Sequence, residues 1–225
     1  MNEQKQTSLL IVDDHPVMRQ GLAMVLAQDK SFRVAAQADG ETDALEALEK
    51  FLPDCAIVDI SLKDGNGLDL IKKMKASFPQ VMILVISTYE ESLYAERALR
   101  AGAKGYVTKQ EAADRILDAL RVVMEGGVYV SEPLAQKIMS RLFSGEVSSA
   151  GETGITSLTD RELQVFELLG SGKDIHEIAQ TLKLSSRTVE AHRYNILNKL
   201  NLKKSSELVQ EAIYWTQVEN RKIAP

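Results

Sequence analysis

Strand-like and helix-like patterns alternate five times between Leu9 and Gly126. Short runs at 9–12, 32–36, 54–59, 81–86 and 105–107 are apolar and bounded by polar, Gly or Pro residues, so they read as buried strands. Between and after them, stretches at 16–27, 41–51, 68–78, 90–101 and 112–125 carry apolar residues at helical spacing, as with Ala44, Leu45, Ala47, Leu48 and Phe51. Pro79, Gly102 and Gly126-Gly127 stop three of these helices. Strict β-α alternation predicts a five-stranded, doubly wound parallel sheet with helices on both faces, closing near residue 127.

In such a sheet all C-terminal strand ends share one edge, and ligands bind there. Four of the five runs end in polar groups: the first in Asp13-Asp14, the third in Asp59, the fourth in Ser87-Thr88 and the fifth in Thr108-Lys109. Asp13, Asp14 and Asp59 would therefore converge, and three close carboxylates raise one another's pKa unless a cation compensates. Mg²⁺ suits the demand, since it takes oxygen ligands, keeps waters and binds carboxylates together with phosphate. With Lys109 as a positive charge and Ser87 as a hydroxyl donor, the edge is suited to a transferred phosphoryl group, where catalysis is mostly positioning and charge neutralisation. His15, beside the acidic pair but before Pro16, reads as a surface turn residue.

The net charge of −5 is uneven: residues 157–225 carry +1, and the acidic excess lies wholly in the preceding part. The one cysteine, Cys55, falls in a strand and reads as core, which excludes a disulfide framework or zinc cluster. No apolar stretch approaches the roughly 20 residues that span a bilayer, and the polar N-terminus does not open a secretory signal, so the expectation is a cytoplasmic protein with no membrane partner.

Leu134, Ile138 and Leu142 suggest a helix at 132–143, after which 144–154 turns to Gly, Ser and Glu and reads as a flexible joint. The expected organisation is a first domain at 7–127, a linker at 128–156 and an all-helical domain at 157–220. In the latter, Thr159 and Glu162 match a capping box for a helix at 162–169 that Gly170 and Gly172 end. Asp174 caps a second helix to Leu182, Ser185 or Ser186 a third, and Ser205 opens a fourth. Two helices across a short turn make a helix-turn-helix, with 187–200 as the recognition helix.

The stretch 9–126 resembles the receiver domain of bacterial two-component response regulators, a flavodoxin-like fold. The resemblance implies that Asp13 and Asp14 bind Mg²⁺ together with Asp59, and that Asp59 is the phosphoacceptor. It also implies that Ser87 and Tyr106 are the switch residues and Lys109 the phosphate-contacting lysine. Lys63 departs from the pattern, standing where many members carry proline, which bears on the rigidity of the loop after Asp59. The motif Leu158-Thr-Asp-Arg-Glu162, with Gly172, Ile178-Ala179, Leu182, Leu184-Ser185, Thr188-Val189, His192 and Leu197-Asn-Lys-Leu200, resembles the LuxR-type helix-turn-helix of the NarL/FixJ family. Ile175-His176 stands where many relatives have Asn-Lys.

The family pattern puts the first turns of the recognition helix in the major groove. Glu190, Ala191 and Tyr194 are then base-edge candidates, since Glu accepts from cytosine and Ala packs on a thymine methyl. Arg187, Thr188, Arg193, Lys199, Lys203 and Lys204 are expected on the DNA-facing surface, the basic ones at phosphates. His192 is a further phosphate candidate. Leu208, Val209, Ala212 and Trp215 would either pair two DNA-bound subunits or close the bundle's own core. The resemblance implies a transcription regulator, phosphorylated by a sensor histidine kinase and binding a palindromic duplex operator as a homodimer. It is not expected to be a turnover enzyme. The alternatives are a phosphorylation-controlled protein- or RNA-interaction module and a self-contained phosphatase, the latter lacking any Gly-rich phosphate loop.

Overall fold

A computed structural model describes residues 6–63, 65–144 and 154–223. The chain divides into two compact units, Met1–Ala135 and Gln136–Pro225.

The first unit is built on strands β1 (Thr7–Val12), β2 (Phe32–Ala38), β3 (Cys55–Val58), β6 (Met82–Ser87) and β7 (Gly105–Thr108). They form one parallel sheet in the order β2-β1-β3-β6-β7. The order reverses at β1, because the chain moves from β1 outward to β2 and then returns to the other side with β3. The ends of β1 and β3 flank that switch point, where open α/β sheets bind ligands. The connecting helices are α1 (Pro16–Leu26), α2 (Glu41–Phe51), α3 (Gly67–Ser77), α4 (Glu91–Ala101) and α5 (Ala112–Met124). Alternation puts Leu9, Ile11, Cys55, Ile57, Leu84 and Ile86 into one core layer with Leu22 and Leu26 of α1 and Ile116, Leu120 and Val123 of α5. Their neighbours Leu10, Val12, Ala56, Val58, Ile83 and Val85 are equally buried, so the central strands are apolar throughout rather than alternating. Cys55 is fully buried, and burial pushes its thiol up to about 12, as expected of an inert core residue.

Two features were not legible in the sequence. Residues after Asp59, read as loop, form a small antiparallel hairpin of β4 (Ser61–Leu62) and β5 (Gly65–Asn66). Its return strand runs into α3, where the Asn66 side chain caps the Leu68 N–H at 2.7 Å. A Cβ on Gly67 would strike the Asp59 carbonyl, so only glycine allows this close return. The unit also continues past residue 127. Tyr106 N donates to Tyr129 O at 2.8 Å and Tyr129 N to Lys104 O at 2.9 Å, which covers the outer edge of β7. The pairing is a single bridge at Tyr129, and the run Val128-Tyr-Val130 is too short to show a strand pattern.

Helix α6 (Glu132–Ser144) matches the expected linker helix, and the boundary between the units falls within it, after Ala135. Leu134 is buried; the Leu142 side chain and residues 145–153 of the joint expected at 144–154 lie outside the described residues.

In the second unit a 3₁₀ turn (Gly154–Ser157) precedes α7 (Asp160–Gly170), α8 (Ile175–Leu182), α9 (Ser186–Lys199) and α10 (Ser205–Ile223). Complete capping boxes, Thr159 with Glu162 and Asp174 with Glu177, start α7 and α8, and Ser185 caps α9. Because Thr159 is the cap, α7 begins at Asp160 rather than at Glu162. It ends with Gly170, and Gly172 lies just beyond at φ 82; a Cβ on Gly170 would also collide with the Ala212 carbonyl and Thr216, so that glycine allows close packing of α7 on α10 as well. Leu163, Phe166, Ile178, Val189, Ile196, Leu208 and Ala212 are the buried centre.

Candidate functional site

The acidic edge assembles as the strand ends require. Asp59 N donates to Val12 O at 2.8 Å and Asp13 N to Ala38 O at 3.2 Å, so the ladder itself carries both carboxylates to the switch point. Both residues are 1% exposed. Lys109, one residue beyond β7, reaches back across the sheet. Its Nζ lies 2.7 Å from Asp13 Oδ2 and 2.7 Å from Asp59 Oδ2, and its backbone N–H donates to Ser87 O at 2.8 Å. Burial works against the ammonium, but Asp59 and Asp13 outweigh it and hold its pKa above the ordinary lysine value.

Three carboxylates against one ammonium leave the pocket strongly negative. Burial pushes the Asp59 carboxyl up to about 6, with Lys109 pulling down and Asp13 adding to the rise. Asp13, Asp14, His15 and Asp59 each place a ligand atom within 4.8 Å of the others. Asp13 Oδ2 and Asp14 Oδ1 are buried and receive no well-aligned hydrogen bond, their neighbours Lys109 and His15 being ion-pair contacts only. Converging carboxylate oxygens around a net negative pocket fit a hard divalent cation.

His15 lies at the surface before α1, as expected, but it also faces the acidic pair. It is exposed, yet its Nδ1 sits 2.6 Å from Asp14 Oδ1 and 3.2 Å from Asp13 Oδ1. Its backbone N–H also donates to Asp13 Oδ1 at 2.8 Å. Its adjacency to the pair was the available signal.

Ser87 is fully buried at the end of β6, and its hydroxyl accepts the Tyr89 N–H at 3.2 Å. Tyr106 is buried, its hydroxyl donating to Tyr89 O at 2.8 Å. Burial raises its phenol pKa, which keeps it a donor. Tyr89, stacked on Tyr94 at 4.5 Å, thus links both expected switch residues; nothing in the sequence singled it out.

On α9, Arg187, Glu190, Ala191 and Tyr194 are exposed and fall on one helical face; Lys203 and Lys204 are exposed beyond it. Thr188 is half-buried and engaged in the cap, its Oγ1 2.8 Å from Ser185 Oγ. Two expected phosphate contacts are spent inside the unit. Arg193 has a side chain only 15% exposed and donates to Ser205 Oγ at the start of α10. Lys199 pairs with the buried Glu162 at 2.7 Å and donates to Ser157 O at 3.1 Å. The Glu162 carboxyl, which burial alone would raise, is held below its usual range by Lys199 and the Thr159 cap. His192 is half-buried, and His176 Nδ1 meets Ser186 Oγ at 3.2 Å, joining α8 to the first residue of α9.

The expected pairing face of α10 is likewise corrected. Leu208 and Ala212 are fully buried, and Trp215 packs on Phe166 at 5.8 Å, so these residues close the bundle. Val209 is half-buried, and among the described residues of α10 the exposed apolar ones are Ile213 and Tyr214.

An acidic, lysine-bearing pocket at the switch point of a doubly wound sheet, followed by a helix-turn-helix unit, defines a receiver-type regulator. Family models agree: "Response regulator receiver domain" matches residues 9–121, and "Bacterial regulatory proteins, luxR family" matches residues 156–212. Among relatives, the transcriptional regulatory protein DegU of Brevibacillus brevis is 31% identical over 97% of this chain and 100% of its own. The oxygen regulatory protein NreC of Staphylococcus epidermidis is 35% identical over 91% of this chain and 96% of its own. The fold is shared with RcsB from Salmonella enterica serovar Typhimurium bound to a promoter with the phosphomimetic BeF3-. That match has 24% identity and a TM-score of 0.70, covering 92% of this chain and 98% of RcsB. The chain belongs to the response-regulator family, with a receiver domain and a LuxR-type DNA-binding domain. No helix among the described residues is long and apolar enough to cross a membrane.

Proposed function

We propose that Asp59 accepts a phosphoryl group from the phosphohistidine of a sensor kinase, with Mg²⁺, and that this modification controls binding of a duplex operator by the helical unit in the cytoplasm. The observation that carries the reading is the Asp59 carboxylate at the end of β3, buried, paired with Lys109 at 2.7 Å and ringed by Asp13 and Asp14.

A carboxylate oxygen of Asp59 attacks phosphorus, the phosphorus–nitrogen bond to histidine breaks, and an acyl phosphate forms. Asp13, Asp14 and Asp59 would hold the divalent ion, which when bound neutralises phosphoryl oxygens. Lys109 shifts from bridging two carboxylates to pairing with the new phosphoryl charge. Ser87 donates its hydroxyl to that group, and Tyr106 and Tyr89 follow because one hydrogen bond joins them. Coupling of this kind is worth about 1–3 kcal/mol, enough to shift populations. Hydrolysis of the acyl phosphate resets the switch.

In the reader, Glu190, Ala191 and Tyr194 face base edges, with Thr188 supporting the first turn of α9 and Arg187, Lys203 and Lys204 taking phosphates. Pairing of two DNA-bound subunits falls to Val209, Ile213 and Tyr214. RcsB, solved as dimers on DNA at 25% identity and a TM-score of 0.65, supports that assembly.

The test is selection of duplex sites from a random pool, with and without acetyl phosphate and Mg²⁺, for wild type and Asp59→Asn. A palindromic site bound more tightly only by donor-treated wild type is expected. Enrichment of no sequence in either state would replace DNA by a protein or RNA partner.

A further inference from the structure

Lys63, in the turn between β4 and β5, has a specific partner. Its Nζ lies 2.6 Å from Asp39 Oδ2. Asp39 directly follows β2, whereas Lys63 lies in the hairpin that follows β3. In the sheet order, β1 lies between these two strands, and Asp13 and Asp14 follow its end. The ion pair therefore spans two interstrand spacings, about 10 Å, across the strand whose end bears the acidic pair.

The hairpin also rests on α2 and meets the acceptor. A Cβ on Gly65 would lie 3.4 Å from Glu41 Oε2, and Glu41 is paired with Lys73 of α3 at 2.5 Å. Two residues before Lys63, the Ser61 N–H donates to Asp59 Oδ1 at 3.3 Å. That bond is long, so small movements of the hairpin make or lose it.

We propose that Lys63 is a positioning residue: its ion pair with Asp39 straps the β4–β5 hairpin across the acidic pocket and holds the Ser61 N–H against the acceptor, limiting water's access to the acyl phosphate. This rests on Asp59 being the phosphoacceptor. The reaction it restrains is attack of water on phosphorus, with cleavage of the bond to the Asp59 oxygen and release of inorganic phosphate. A proline stiffens this loop covalently. An ion pair between side chains 55% and 38% exposed does so through charge, and so becomes sensitive to salt. The depressed Asp39 carboxyl pKa, with Lys63 as its first cause, agrees with a formed pair.

The test uses the full chain loaded from acetyl phosphate with Mg²⁺, timing loss of label after donor removal. Lys63→Met and Asp39→Asn should each speed loss by roughly two- to fivefold, with no further gain in the double variant. High salt should bring wild type to the rate of the variants, and Lys63→Pro should restore slow loss independent of salt. Additive single effects, slower loss, or a salt effect equal in every variant would overturn the strap. Amide hydrogen exchange of the unphosphorylated hairpin separates the two readings. Lowered protection of Leu62 in Lys63→Met supports the strap even if no label is ever taken up, in which case the acceptor assignment fails instead. Unchanged protection refutes the strap itself.

Discussion

The acidic edge and helix α9 carry their candidate functional residues on opposite kinds of surface. At the edge, Asp13, Asp59, Ser87 and Lys109 come from four strand ends and lie buried against one another. On α9, the candidates come from one short stretch, and Arg187, Glu190, Ala191 and Tyr194 face solvent. A convergent buried site leaves each residue little choice of partner, so its chemistry follows once the strands are placed. An exposed helical face offers choices, and the second unit uses Arg193 and Lys199 to tie itself together instead.

The largest expected effect tests whether α10 is core or interface. Leu208→Ala should cost about 2–5 kcal/mol, read as the urea midpoint of Trp215 fluorescence, since the only tryptophan packs on Phe166 in this unit. Tyr214→Ala should stay within about 0.5 kcal/mol while weakening assembly on DNA. Equal stability losses would mean that Leu208 and Tyr214 are core residues alike.

Lys109→Met should lower labelling of Asp59 by acetyl phosphate on the order of 100-fold, because the carboxylates lose the cation bridging them. Retained labelling would show that the three carboxylates suffice without the lysine.

Glu162→Gln should cost the helical unit about 1–3 kcal/mol at neutral pH. The folded carboxyl titrates below its ordinary 4.5, so its contribution is present above that value and disappears as pH falls through the lower folded value. A pH series of Trp215 unfolding should therefore show wild type losing its advantage over the variant in acid. A constant gap would mean that Lys199 does not recognise the charge.

The smallest effect separates the two arginines. Arg187→Ala should weaken DNA binding across all sequences and reduce the salt slope by about 1, with unfolding unchanged. Arg193→Ala should lower unfolding stability as its main effect. The reverse pattern would return Arg193 to the DNA-facing surface.

Much of the edge was legible because a strand's end is marked in sequence: apolar runs stop at Asp13, Asp59, Ser87 and Lys109, and parallel order forces those ends together. Tyr89 and Asp39 were not, since an ordinary tyrosine and aspartate past strand ends acquire meaning only through the groups that they touch, the Tyr106 hydroxyl and the Lys63 ammonium. The β4–β5 hairpin escaped notice because two-residue strands carry no periodicity. Helix caps were readable from Thr159, Asp174 and Ser185, since a cap is a local bond between residues three apart.

What the sequence alone determined is the part governed by local pattern and chain order: the alternation of elements, the direction of the strands, the convergence of acid groups with a lysine, and a helix-turn-helix after them. What only the tertiary structure decided is which side chains are already committed. Leu208 and Ala212 to the core, Lys199 to Glu162 and Lys63 to Asp39 are pairings across long chain separations or between candidates of equal local fitness. Periodicity identifies a face of a helix, but the neighbouring element alone determines whether that face meets protein or water.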